Sequence, residues 1–360
     1  GTNGGNANTA SDHMGNSLGR PLIANVLLGN GANKVKTPVA IVANGINSST
    51  GDPTLFVFNL QTGALLRHIV AKSDTDNGLS SPRGWDLDAD GLIDYVYAGD
   101  LKGNVWKFDI STGTFSRLFT ATDKANKPQP ITAPIHISVE ASTSRLWVHF
   151  GTGSDFQTLD PINTDTQSWY GLIDTGSPIA RSDLFEAGFD LAQPDTLSGR
   201  PVRVLKEVTA SEIIKGWVID LPEAGERMVT ASKVYTPAAH KVPEPVLVAS
   251  SVIPVDDPCQ PGGRGYLNAV NPYTGGRLEK PFFDINNDGK VDAADAFGVG
   301  DETIAPGSID LGIGKPGESV LIGNRLVVGG SEGKVRDILI NTAKPATKTG
   351  GRISWREIVR

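Results

Sequence analysis

The sequence predicts an all-β chain folded as a modified β-propeller, and three observations carry that prediction. First, 42 Gly and 23 Pro among 360 residues punctuate the chain into many short strands rather than long helices. Second, three segments repeat one plan, an apolar or aromatic run, then Asn or Asp, then a Thr-Gly turn: LFVFNLQTG (55–63), VWKFDISTG (105–113) and YLNAVNPYTG (266–275). Third, these units are interleaved with short apolar strands that end in small residues. Weak self-similarity at roughly 40 to 50 residues, with several strands per unit, is the pattern of a propeller, whose blades bury their faces only by stacking on neighbours. A β-sandwich with long loops is the other reading of many short strands. The recurrence of the Thr-Gly turn in one strand context favours the propeller.

Taken in order, GTNGGNANTASD reads as a leader, so residues 1–14 are assigned to a flexible lead-in and 15–360 to the propeller domain. Strands are expected at VAIVANG (39–45), DYVYAGD (94–100), RLWVHFGTG (145–153), PVLVASS (245–251) and RLVVGGSEG (325–333). GWVIDLPEAGERMVTASKVY (216–235) reads as a strand-turn-strand pair, KANKPQPITAP (124–134) as a connection between sheets, and VDAADAFGVG (291–300) as a short helix. The six tryptophans, Trp85, Trp106, Trp147, Trp169, Trp217 and Trp355, are expected in packing between blades rather than on a binding surface.

Composition narrows the function classes. With 39% hydrophobic residues the chain can pack a core, and at a net charge of −7 nothing invites nucleic acid, which would need a basic face. No run of 18 apolar residues offers a membrane span. Cys259 is the single cysteine, so no internal disulfide forms. His13, His68, His136, His149 and His240 make no H-x-x-x-H or H-E-x-x-H spacing, and no G-x-S-x-G elbow occurs. GTGSDF (151–156) lacks the Lys-Ser/Thr of a phosphate loop and reads as a turn. Nothing points to catalysis.

The chemistry-bearing motifs are two acidic loops. In DLDADGLID, Asp86, Asp88, Asp90 and Asp94 stand at positions 1, 3, 5 and 9 of an EF-hand-type loop, with Gly91 at 6 and the Leu92 carbonyl at 7. Position 12 is Tyr97, so this loop is a shortened version that runs straight into a strand. In DINNDGKVDAAD, Asp284, Asn286, Asp288 and Asp292 take positions 1, 3, 5 and 9. Gly289 is at 6, the Lys290 carbonyl at 7 and Asp295 at 12. Hard oxygen donors at this spacing select Ca²⁺ over zinc or copper. Asp, Asn and Gly also favour plain turns, but acids at alternate positions with Gly at 6 form a stricter pattern than a turn requires.

With these residues in hand the chain resembles the PilY/PilC family of type IV pilus biogenesis proteins and tip-associated adhesins. DLDADGLIDYVYAGDLKGNVWKFDIS carries the resemblance, supported in order by SLGRPLIANV, AIVANGINSSTGDPTLFVFNLQTG, HFGTGSDF, WYGLID, GWVIDLPEAGERMV, DPCQPGGRGYLNAVNPYTGG and GRISWREI. The resemblance implies a modified seven-bladed propeller, with this chain starting inside the ring. It also implies a calcium site on Asp86, Asp88, Asp90, the Leu92 carbonyl and Asp94. It further implies a pilus-associated location at the bacterial cell surface, minor pilins at the pilus tip and a surface receptor as partners, and roles in assembly, attachment and twitching motility. No Arg-Gly-Asp tripeptide occurs. The competing reading is a quinoprotein dehydrogenase-like propeller. Its calcium ligands would be dispersed beside the quinone, whereas here they are contiguous in local loops. A structural extracellular repeat protein is the third reading.

Overall fold

Neighbouring positions on these strands are both apolar, and that decides how they pack. Trp147 and Val148, Val218 and Ile219, and Val248 and Ala249 are consecutive pairs, all buried. Adjacent side chains on a strand point to opposite faces, so sheets built this way need cover on both sides. The computed structural model, which describes residues 10–17, 19–29, 33–71, 76–235, 244–255, 262–299 and 302–341, meets that need with five sheets in succession.

The first sheet is the meander β1 (Leu22–Leu28), β2 (Val35–Ala43), β3 (Thr54–Asn59) and β4 (Leu65–Val70). The second repeats it with β5 (Arg83–Trp85), β6 (Tyr95–Gly99), β7 (Asn104–Asp109) and β8 (Thr114–Thr120). The third starts with β9 (His136–Val139), β10 (Leu146–Gly151) and β11 (Ser168–Ile173). Its outer half adds β12 (Phe185–Ala187), which runs parallel to a later strand. After β13 (Thr196–Leu197) and β14 (Arg200–Arg203), that later strand arrives as β15 (Gly216–Asp220), between β11 and β12. The fourth sheet orders β16 (Lys233–Tyr235), β17 (Val246–Ile253), β18 (Arg264–Val270) and β21 (Ser308–Ile309), then β14 and β13. A small hairpin, β19 (Phe297–Val299) with β20 (Glu302–Ile304), lies in the long connection before β21. The fifth sheet is β22 (Val320–Ile322), β23 (Arg325–Gly329) and β24 (Val335–Leu339). The expected all-β propeller is therefore present, and its described residues build five of these sheets.

Four apolar clusters glue the sheets in series. One, with Val26, Ile41, Val57, Val96 and Phe108, lies between the first and second sheets. Another, with Tyr97, Phe119, Val148 and Tyr170, lies between the second and third. Trp147, Trp169, Trp217, Leu247 and Ala249 join the third to the fourth. Val248, Leu267, Phe283, Leu326 and Ile338 join the fourth to the fifth. Trp106 and Trp85 also pack in or against these clusters, as expected of inter-blade tryptophans. Trp355, His240 and Cys259 lie outside the described residues.

Two expectations need correction. Residues 216–235 are not one hairpin: β15 belongs to the third sheet and β16 opens the fourth, because Trp217 and Ile219 must face the cluster between those sheets. Of the helix expected over 291–300, the described residues 291–299 hold only a 3-10 turn, Ala293–Asp295, before strand β19, since the loop ahead of it fixes the backbone. Of the expected leader, residues 10–13 form a 3-10 turn with His13 buried, its Nδ1 2.9 Å from Thr50 Oγ1. The GTGSDF turn is held from outside by Arg227. This buried guanidinium donates to the carbonyls of Ser154 (2.8 Å), Asp160 (2.8 Å) and Asn163 (2.6 Å).

His149 is completely buried, stacked on Trp147 at 5.9 Å, with Nε2 3.1 Å from Ser138 Oγ. Burial, then the neighbouring His136, holds its pKa well below the ordinary histidine range. Both histidines gain a normal affinity for protons on unfolding, so the unfolded chain binds more protons below about pH 6.5 and stability falls with acid. Unfolding free energy measured by denaturant should fall from pH 6.5 to 5 by about 1 kcal/mol per unit more in the wild type than in His149→Phe, which keeps the ring stack. Parallel pH profiles for the two proteins would contradict this.

Candidate metal centre

The first acidic loop closes the hairpin between β5 and β6, where Trp85 pairs with Tyr95. A nine-residue insertion between two strands must satisfy its own backbone, and its carboxylates do so. Asp86 accepts from the N–H of Asp90 at 3.2 Å and of Gly91 at 2.8 Å. Asp88 accepts from the Asp90 N–H at 3.3 Å, and Asp90 from the Leu92 N–H at 2.8 Å. Asp94 reaches back to the Leu87 N–H at 2.8 Å. The loop is pinned to the first sheet by Ile93, whose N–H donates to the Asn25 carbonyl at 2.9 Å.

Charge-assisted bonds of this kind orient the carboxylates inward. Asp86, Asp88 and Asp94 each bring an oxygen within 4.8 Å of the other two, and this is the one such cluster of acidic, His or Cys groups among the described residues. Asp88 is exposed while Asp86 and Asp94 are half-buried, so an ion can reach the cluster. Asp90 stands outside that trio.

The second loop lies between Phe283 and β19. The Asp284 N–H donates to the Leu339 carbonyl at 2.9 Å, and Ile285 is buried in the cluster between the fourth and fifth sheets. Its bonds repeat the first loop position by position. Asp284 accepts from the N–H of Asp288 (3.2 Å) and Gly289 (3.0 Å), Asn286 from that of Asp288 (2.9 Å), and Asp288 from that of Lys290 (2.9 Å). The backbones match as well. Position 4 is left-handed in both, at Ala89 (φ 61°) and Asn287 (φ 60°), and so is position 6, at Gly91 (φ 84°) and Gly289 (φ 85°). Glycine is required at 6 because other side chains rarely adopt that φ.

The loops part at their ends. Asp292, at position 9, caps the 3-10 turn by accepting from the Ala294 N–H at 2.9 Å. Asp295 is fully buried and accepts from the N–H groups of Ile285 (2.7 Å), Asn286 (3.1 Å) and Asp292 (3.0 Å). The structural counterpart of Asp94 is thus Asp295, not Asp292: each returns to the N–H of position 2. Spacing alone hides this equivalence. The signal for it is that each of these two acids stands just before a strand, Tyr95 in one case and Phe297 in the other.

An all-oxygen donor set built from carboxylates, an amide and backbone carbonyls suits a hard divalent cation, and the converging trio fits that demand. Asp86, Asp88 and Asp94, with Asp90 and the Leu92 carbonyl at the neighbouring ligand positions, would hold such an ion in the first loop. Asp284, Asn286 and Asp288, with the Lys290 carbonyl and with Asp295 in the place of Asp94, would do so in the second. The ion would supply positive charge against mutually repelling carboxylates and hold the turn.

Comparison with known proteins places the fold. A family model described as the PilY1 beta-propeller domain matches residues 1–117. A type IV pilus biogenesis factor PilY1 homolog from Xylella fastidiosa is 35% identical over 96% of the chain, and type IV pilus biogenesis factor PilY1 from Pseudomonas aeruginosa is 28% identical over 96%. The chain spans 27% and 32% of the length of these relatives. The crystal structure of the Pseudomonas aeruginosa PilY1 C-terminal domain superposes with a TM-score of 0.73 at 24% identity, covering 92% of this chain and 74% of that one. Shared fold and sequence likeness along nearly the whole chain agree: the chain belongs to the PilY1 β-propeller family.

Proposed function

We propose that this chain is the calcium-binding propeller of a type IV pilus biogenesis factor, displayed with the pilus at the bacterial cell surface. There it supports assembly, the balance of extension and retraction, attachment and twitching motility. The relatives are named as pilus biogenesis factors rather than enzymes, which favours a binding role. Among the described residues no helix is long and apolar enough to cross a membrane. Minor pilins at the pilus tip and a surface receptor are the proposed partners.

The observation that carries the calcium reading is the repeated loop. Two segments unrelated in their flanking strands share one hydrogen-bond pattern and the same left-handed positions. A cation that binds only the folded loop stabilises it by mass action and quenches carboxylate repulsion.

Calorimetry with Ca²⁺ should give two sites on the wild type and one each on Asp86→Ala and Asp284→Ala. Equal heats from all three proteins would remove the calcium reading. In cells whose pilus protein carries Asp94→Ala or Asp94→Lys, surface pilus number and twitching distance should both change with export intact, and in opposite directions. Lys places a positive charge among the remaining carboxylates as the ion does, whereas Ala leaves them uncompensated. Wild-type behaviour from both variants would leave the loop as a structural clip. Ala89→Asn, which moves the residue of the second loop into the first, should raise unfolding free energy by about 1 kcal/mol, and Asn287→Ala should lower it by about as much, because Asn tolerates the left-handed region and Ala does not. Denaturant titration of both variants checks this.

A further inference from the structure

The segments that lead into β1, β5, β9, β16 and β22, one from each of the five sheets, line a single cavity of about 490 Å³. Pro21, Pro82 and Pro134 stand at or just before the starts of β1, β5 and β9. Proline has no N–H, so each of these three segments has one backbone donor fewer there, and charged side chains dominate the polarity of this mouth. Those side chains are Arg20, Arg83 and Lys233 against one carboxylate, Glu318. Glu318 takes Lys233 at 2.7 Å and lies 3.6 Å from Arg20. Arg83 is exposed and has no ion-pair partner among the described residues. The mouth therefore carries excess positive charge in a chain whose net charge is −7.

A neighbouring group registers the same field. His136 lines the cavity, and its pKa is pushed down to about 4, first by burial and then by the charges of Arg83 and Lys233. Burial, the larger cause, disfavours a charge of either sign; the second cause, the field of Arg83 and Lys233, is the part that favours an anion at the mouth.

We propose that the cavity mouth binds a small oxyanion bearing at least two negative charges, of the phosphate or polycarboxylate class. Arg83 supplies the uncommitted fork, and Lys233 is drawn partly from Glu318. Guanidinium and ammonium groups meet such oxygens with charge-assisted bonds, and a cavity of this size admits a small ligand. The proposal does not rest on the pilus reading or on the acidic loops.

Inorganic pyrophosphate and citrate serve as probes in separate titrations, read by calorimetry in calcium-free buffer because both chelate calcium. The wild type should bind at least one of them saturably, and the preferred probe decides between phosphate and carboxylate. Arg83→Ala and Lys233→Ala should each weaken binding about tenfold, the scale of one lost charge-assisted contact. Glu318→Gln should tighten it, since it removes the competing carboxylate. Lys36→Ala, on an exposed part of β2 away from the mouth, should change nothing. Absence of saturable binding up to about 10 mM of either probe would overturn the proposal. So would equal affinity in Arg83→Ala and wild type, or weaker binding in Glu318→Gln.

Discussion

A sheet that is apolar on both faces cannot rest on water, and every other feature of this protein follows from that constraint. Each of the five sheets must find a neighbour, and the four clusters between them are the result. Burial of a side chain such as Trp217 or Phe108 stabilises by about 2 to 3 kcal/mol relative to exposure. Dozens of such residues, shared between sheets rather than held within one, make the stack a single cooperative object. It is this shared frame that holds β5 and β6 rigid enough to carry nine residues of acidic loop between them.

Within that frame the acidic loops solve a local problem. Several carboxylates in one tight turn repel each other, yet each accepts backbone N–H groups that the turn leaves without another partner. The repulsion and the hydrogen bonding together give a turn that is ordered yet still strongly attractive to a cation. The loops differ in what anchors them. The first sits in the inner hairpin of a sheet and reaches across to Asn25 of its neighbour. The second is held by the buried Ile285 and by Asp295, whose oxygens are committed to backbone donors.

Much of this was legible in the residues. The Thr-Gly units marked β3, β7 and β18, because a turn that needs Gly at positive φ leaves a visible glycine such as Gly63 or Gly113. The metal-ligand spacing was legible because coordination demands particular residue types at fixed intervals. The sorting of strands into sheets was not, since β15 and β16 look like partners, yet β15 pairs with β11 in the third sheet and packs Trp217 against the sheet that β16 opens. Nor was Asp100 recognisable. It ends a strand like any polar residue, but lies buried and accepts from Asn77, Asn104 and Trp106 side chains, tying the turn after β6 to the chain leaving β4. The equivalence of Asp94 and Asp295 was hidden for a similar reason: it concerns which N–H a carboxylate meets, and spacing does not encode that.

The serial arrangement of the clusters has a mechanical side. The second, third and fourth sheets each share two clusters, while the first and fifth share one apiece among the described residues. Resistance to peeling is then graded, weakest at the two outer sheets and greatest in the middle. Each acidic loop straddles one of these outer junctions: the first lies in the second sheet and is tied to the first through the Asn25 carbonyl, and the second is tied to the fifth sheet through the Leu339 carbonyl. A load that parted one junction would take a footing from the loop seated there and leave the other loop untouched.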